Sequence, residues 1–309
     1  MKYKKTAGLW AILLCVFLLW ACAPAALQAV APVTLTDMKG RSVTLQAPIT
    51  RAVALAASDC EILYALGAQD ALAGRGAYCD YPPEALALPA VQSNYEINLE
   101  QILALSPQVV FVEDMDPADE KIKAMEAAGI AVVMTNAHYR IEEVYQGIAL
   151  IGAAMGKNGE AAAVIEDMRA AFARVSEKAA QKAGGKTVYF EVSPLEYGLW
   201  TAGSGTFMDE IAGMLGLTNA FSDVEGWSRI SEEQVLERNP DYIVTIAMYY
   251  GEGPTPQDEI MGRAGWQNVA AVQNGAILNL QDDTLSRPGP RLAQGAAALY
   301  AFVYGNDAS

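Results

Sequence analysis

The sequence predicts an α/β protein of two Rossmann-like lobes with parallel sheets, joined by one long α-helix. Three observations predict it. Short apolar runs of strand length alternate with segments of helical periodicity in both halves of the chain, the pattern of parallel strands buried under helices on both faces. Between the halves, residues 159–182 are rich in Ala, Glu, Lys and Arg and nearly free of strand formers. Finally, the segment Asn98 to Val112 aligns without gaps on Ser231 to Thr245, once in each half.

Residues 1–21 read as an export signal, because Lys2, Lys4 and Lys5 precede a weakly polar-to-apolar run from Ala7 to Ala21. That run falls short of the about 20 apolar residues a spanning helix needs. It ends at Leu19-Trp20-Ala21-Cys22, which resembles the lipobox of bacterial lipoproteins, with Trp20 bulkier than is usual there. Lipidation at Cys22 is the expectation; cleavage after Ala23 or Ala25, with loss of Cys22, is the alternative. Residues 22–32 then form an Ala/Pro/Gln-rich flexible tether.

Residues 33–45 alternate around Met38-Lys39-Gly40-Arg41 and predict a hairpin bent at Gly40. A buried strand follows at 52–56, then a helix at 59–66 closed by Gly67. Helices at 99–105 and 118–128 and strands at 109–113 and 130–135 complete a first lobe, 33–140. Residues 141–183 hold the connecting helices. The second of these, 159–182, spans roughly 36 Å at 1.5 Å per residue, long enough to run between lobes. The second lobe, 184–309, restarts with a strand at 187–192, a helix at 206–215 and strands at 242–246 and 276–280. In the echoed segments Asn98 and Ser231 stand at N-cap positions with Gln101 and Gln234 three residues on, and Pro107 and Pro240 end the helices.

The net charge is −15, and loss of Lys2, Lys4 and Lys5 leaves 18 basic against 36 acidic residues, near −18. Nucleic-acid binding is excluded, since it needs a clustered basic surface. With 52% hydrophobic residues the remaining chain is globular and long enough for two lobes. Beyond the signal, Cys60 and Cys79 could pair in an oxidising compartment, but a core of this size needs no staple, and two unpaired thiols are expected. Hydrolase machinery is missing: there is one histidine, His138, no phosphate loop and no Gly-x-Ser-x-Gly elbow, while Gly203-Ser204-Gly205 reads as a turn. No His/Cys/carboxylate cluster has metal-site spacing. A binding protein with no catalytic residues and no bound cofactor is the expectation, with an adhesion or structural lipoprotein as the remote alternative.

Arg51-Ala-Val-Ala-Leu55, Glu61 to Gly67, Tyr78-Cys-Asp-Tyr-Pro-Pro-Glu84, the two echoed segments and Arg287-Pro-Gly-Pro-Arg291 together resemble the class III solute-binding proteins of ABC importers, which take up cobalamin, haem and ferric siderophores. The resemblance covers nearly all of residues 45–305. It implies a lipid-anchored, monomeric protein on the extracytoplasmic face of the membrane, a permease and its ATPase as partners, and a metal-chelate ligand held between the lobes. It implies that Glu100 and Glu233 dock onto permease arginines; a carboxylate in a first helical turn stays ionised and can bond guanidinium. It also implies that Tyr78 and Trp227 press on the ligand, as aromatic residues do at the matching places of the cobalamin binder, whose first-lobe Trp is replaced near Tyr95 here. Tyr95 and Tyr249, and more loosely Tyr197, Trp200 and Tyr250, are further cleft candidates. Arg229 and Arg287 are the cations a siderophore or a haem propionate would need. A corrinoid is the expected ligand, with ferric siderophore or haem as the alternative. His138 is expected in a loop or helix start, not on a metal.

Overall fold

The computed structural model describes residues 31–93, 96–135 and 139–305. The expected export signal, Cys22, the expected tether up to residue 30, Tyr95 and His138 lie outside them.

Asp37 closes the first turn. Strands β1 (Val33–Thr36) and β2 (Ser42–Leu45) pair antiparallel. The Asp37 carboxylate accepts from Lys39 N at 3.1 Å and Arg41 N at 2.9 Å, while Gly40 takes φ +78° at the bend. The hairpin is clasped to the first lobe by Arg41, whose Nη2 donates to Val132 O at 2.6 Å.

The first sheet runs β5-β4-β3-β6-β7, all parallel, from β3 (Ala52–Ala54), β4 (Leu72–Gly76), β5 (Ala90–Val91), β6 (Val109–Glu113) and β7 (Ala131–Thr135). Helices α1 (Ala57–Ala65), α2 (Leu99–Leu105) and α3 (Glu120–Ala127) belong to it. Next come α4 (Ile141–Met155) and α5 (Asn158–Ala179), an antiparallel pair packed closely where a Cβ on Gly152 would sit 2.5 Å from the Ala161 Cβ. The 22 residues of α5 reach roughly 33 Å. It packs against α4 on the first-lobe side and against helices α6 (Phe207–Met214) and α10 (Leu292–Tyr304) of the second half.

The second sheet departs from the all-parallel expectation. Its order is β11-β9-β8-β12-β13, with β10 also on β8, built from β8 (Thr187–Ser193), β9 (Trp200–Ala202), β10 (Thr218–Asn219), β11 (Trp227–Arg229), β12 (Tyr242–Thr245) and β13 (Ile277–Asn279). Strands β10, β8, β12 and β13 are parallel; β9 runs antiparallel to β8 and β11 antiparallel to β9. For β9 the cause is chain length: residues 194–199 hold one 3₁₀ turn, too little for the crossover a parallel return requires. Helices α7 (Glu232–Arg238), α8 (Pro256–Gly262) and α9 (Ala270–Gln273) complete this half. One buried cluster joins the halves, from Leu63, Phe111 and Ile148 through Phe172 to Phe190, Phe207 and Leu299.

The internal echo is structural. In both copies the N-cap side chain accepts from the backbone of the Gln three residues on: Asn98 from Gln101 N at 3.1 Å and Ser231 from Gln234 N at 3.4 Å. Both helices end in a left-handed residue before proline, Ser106 at φ 48° and Asn239 at φ 44°. The residue after each proline then caps the neighbouring strand. Gln108 Oε1 accepts from Thr50 N at 2.7 Å, and Asp241 Oδ2 from Thr187 N at 2.9 Å. The copies differ in one respect: Gln234 closes a reciprocal capping box onto Ser231 N at 2.9 Å, whereas Gln101 turns instead to Gln92 N at 2.9 Å. Cys60 and Cys79 are both buried and free, and Cys79 Sγ donates to Ala56 O at 3.3 Å.

Candidate functional site: a cleft between two lobes

Parallel strands point their carboxyl ends at ligands, and in both lobes those ends border one region. A cavity of ≈ 520 Å³ is walled by Ser58, Glu113 and Asp114 on the first-lobe side and by Phe207 and Trp227 on the other, with Arg287 at its edge. It meets a ≈ 380 Å³ pocket that shares Glu113 and Asp114 and runs back between Leu55, Ile97 and Lys121. On the second-lobe side a ≈ 370 Å³ pocket shares Trp227 and adds Trp200, Met208 and Ile246. Beyond Ile246 a ≈ 740 Å³ pocket opens under Tyr197, Met248, Tyr249 and Tyr250.

Trp227 is positioned by the antiparallel strands that sequence periodicity did not reveal. It pairs with Ala202 across β9–β11 and meets the Phe207 ring edge-on, centroids 5.4 Å apart at 61°. Phe207 opens α6 behind the N-cap Thr206, whose hydroxyl accepts from Asp209 N at 3.2 Å. The pair makes a preset aromatic wall, suited to desolvating a flat ligand over a large area.

Other sequence candidates fall in different places. Tyr78 is 63% exposed and is not among the residues bordering the cavity. Tyr249 lines the outer second-lobe pocket, its backbone N donating to Gln281 Oε1 at 3.1 Å and its hydroxyl to Gly253 O at 3.3 Å. Tyr197 and Tyr250 line that same pocket. Arg229 is exposed, and its guanidinium lies against Gly198, where an added Cβ would come 3.2 Å from Nη2. Arg287 does border the cavity, but its guanidinium is already engaged: Nη1 donates to Asp80 Oδ1 at 2.7 Å and Glu61 Oε1 at 3.1 Å, and Nη2 pairs with Asp283 Oδ2 at 2.6 Å. Arg291 clamps the same Glu61 with Nε to Oε2 at 2.8 Å and Nη2 to Oε1 at 2.7 Å.

Sequence reasoning missed Phe207, Tyr139, Ser58 and Glu113, all on the cavity wall. A signal existed for Glu113, a carboxylate closing the apolar run Val109 to Val112 and therefore placed at a strand's carboxyl end. Burial pushes its carboxyl up to about 8, with Asp59 and Asp114 adding repulsion. Asp59, fully buried behind the wall, is pushed up to about 7 by burial despite the hydrogen bond from Thr135. Glu191 poses the same problem inside β8 and is answered by Arg263, in two bonds of 2.7 and 2.8 Å. Among the described residues no group of His, Cys, Asp and Glu could hold a metal ion.

Glu100 and Glu233 both sit exposed in the first turn of α2 and α7, and neither borders a cleft pocket described above. The Ser231 hydroxyl holds the Glu233 carboxyl below the ordinary carboxylate range.

Comparison with known proteins accords with this geometry. Residues 53–284 match the family of periplasmic binding proteins. An uncharacterized ABC transporter substrate-binding lipoprotein of Bacillus subtilis, YvrC, is 31% identical over 97% of this chain and 98% of its own. The vitamin B12-binding protein of Vibrio cholerae is 29% identical over 83% of this chain and 90% of its own. The periplasmic haem-binding protein RhuT of Roseiflexus, solved in apo form, has the same fold: TM-score 0.73 at 24% identity, covering 82% of this chain and 97% of that one. The chain belongs to the periplasmic binding protein family; it is the substrate-binding component of an ABC transporter, not an enzyme.

Proposed function

We propose that this binding protein captures a corrinoid in the cleft between its lobes and delivers it to its permease. The observation that carries the reading is the composition of the cleft wall. Its second-lobe side is the Phe207–Trp227 aromatic pair, while Arg287, the one guanidinium bordering it among the described residues, is held by three carboxylates. A macrocycle of large apolar faces is served by the first feature. An anionic siderophore or a haem propionate would have to compete Arg287 away from its partners. The relationship to a protein that binds vitamin B12 supports the same choice.

Native mass spectrometry of the protein offered cyanocobalamin, cobinamide, haemin and ferric siderophores tests the ligand class; retention of an anionic chelate instead of the corrinoids overturns the proposal. Trp227 supplies a sharper test. Truncating a buried aromatic anchor typically costs about 2 kcal/mol, roughly thirtyfold in affinity, where a peripheral one costs little. Trp227→Ala is expected to weaken cyanocobalamin binding at least about tenfold in calorimetry, with little salt dependence. Unchanged affinity would move the ligand off this wall.

The protein acts at the extracytoplasmic membrane face, held by a lipid on Cys22. Each buried methylene contributes about 0.8 kcal/mol, and two chains anchor stably where one is marginal. Cys22→Ala is expected to move the protein into the soluble fraction or stall its processing. Normal processing with full membrane retention places the anchor elsewhere.

A further inference from the structure

We propose that Glu113 and Ser58 form a hydrogen-bond-donating subsite on the first-lobe wall, which receives the amide carbonyl groups at the ligand's periphery and rejects carboxylates. This rests on the corrinoid reading above, whose ligand class carries primary amides around its ring.

The geometry starts at the end of β6. Glu113 follows four buried apolar residues and is the point where the ≈ 520 Å³ cavity and its ≈ 380 Å³ neighbour meet. Ser58, at the start of α1, borders the larger cavity and is only 3% exposed, yet its Oγ has no hydrogen-bond partner. A buried hydroxyl without a partner is unfavourable, and in a ligand cleft it marks a bond left for the ligand to complete. Behind it, Asp59 has one oxygen bonded by Thr135 Oγ1 at 2.9 Å and the other, Oδ1, without a partner.

The charges that face Glu113 all favour its protonated form or are neutralised elsewhere. Asp59 approaches from α1, and Asp114 from its own strand end, where Lys39 of the hairpin pairs with it. Around the smaller pocket, Asp119 lies at the start of α3, and Lys121 reaches Glu96 at 3.8 Å. Across the cavity stand Tyr139 and Arg287, the latter bound to Glu61, Asp80 and Asp283. Among the described residues no cation pairs with Glu113, and burial keeps its carboxyl protonated up to about pH 8. The neutral carboxyl is an O–H donor aimed at a carbonyl oxygen. A carboxylate on the ligand would instead add a charge to a wall already holding Asp59 and Asp114.

The sign follows from which form binds. Affinity for an amide is full while Glu113 is protonated and falls as pH rises through 8, by about tenfold between pH 7 and 9 for one linked proton. Calorimetry with cyanocobalamin across that range should show this decline in the wild type and a flat profile in Glu113→Gln, whose amide N–H donates at every pH. At pH 7 the wild type should bind a cyanocobalamin monocarboxylic acid, one peripheral amide hydrolysed, more weakly than cyanocobalamin itself. Infrared titration of the ligand-free wild type should show a protonated carboxyl band that disappears near pH 8 and is missing from Glu113→Gln. Intact cyanocobalamin binding with a flat wild-type profile, or a Glu113 already ionised at pH 7, overturns the subsite. Wild type that binds no cyanocobalamin at any pH overturns the corrinoid reading and amide recognition with it, while the infrared band reports the proton on Glu113 separately.

Discussion

Reversing Glu100 and Glu233 to lysine together is expected to abolish uptake through the permease while leaving affinity for the ligand in solution within a few-fold. Both carboxylates project from the first turn of an exposed helix, one in each copy of the echoed segment, and neither lines a cleft pocket described above. The helix dipole favours the anion at each place, and at Glu233 the Ser231 hydroxyl adds a hydrogen bond to the charged form. On the proposed docking role, lysines there would face permease arginines, and like charges across an interface cost several kcal/mol. At about 1.4 kcal/mol per decade, two such contacts reduce productive docking by on the order of 100-fold or more. Transport by cells carrying the permease, measured beside calorimetry on the purified variant, separates the two effects. A loss of ligand affinity matching the loss of uptake would sink the docking assignment.

Much of the fold was legible because its signals are local. Strand β6 and helix α2 follow the expected bounds of 109–113 and 99–105, since each is framed by a cap, a proline or a glycine within a few residues. The echo was equally legible, down to Pro107 and Pro240. What it could not carry was the second use of its residues: Gln108 and Asp241 both cap a strand more than 50 residues away, a contact with no sequence period. The antiparallel strands β9 and β11 were missed because three-residue strands leave too few positions to show alternation. Helix α8 begins at a proline behind Thr255, a start signal that was there to be read.

The site was legible in type and less so in detail. Trp227 stands on the cavity wall, but the partner that fixes it, Phe207, lies 20 positions away and reads as an ordinary core residue. Arg287 was singled out as a ligand cation from its chemistry alone. Spacing could not show that Glu61, at |i−j| = 226, already accepts from it. The same long-range blindness hid Arg263, the counter-charge of Glu191 at |i−j| = 72. A carboxylate inside a buried strand demands a partner; the sequence states the demand and not who answers it.

Removing that kind of partner has the largest expected effect on stability. Glu61 is buried on α1 and accepts three guanidinium bonds from the segment leading into α10: two from Arg291 and one from Arg287. Arg291 is further fixed by Asp282 O at 2.7 Å and by the Tyr81 ring, 3.8 Å from its guanidinium carbon to the centroid. Arg287 keeps Asp80 and Asp283 if Glu61 is lost, but among the described residues Arg291 keeps no carboxylate. Breaking a buried ion pair from one side costs about 3–5 kcal/mol, because the remaining charge stays desolvated. In a chain of this size each kcal/mol lowers Tm by roughly 2–4 °C, so Glu61→Ala should melt on the order of 10 °C below wild type. Replacing both ends, as in Glu61→Met with Arg291→Met, should recover most of the loss, since the desolvated charge goes with its partner. Thermal melts of the three proteins in one buffer decide the matter. If Glu61→Ala melts within about 2 °C of wild type, less than 1 kcal/mol is lost and the network contributes little to holding α1 against the C-terminal segment.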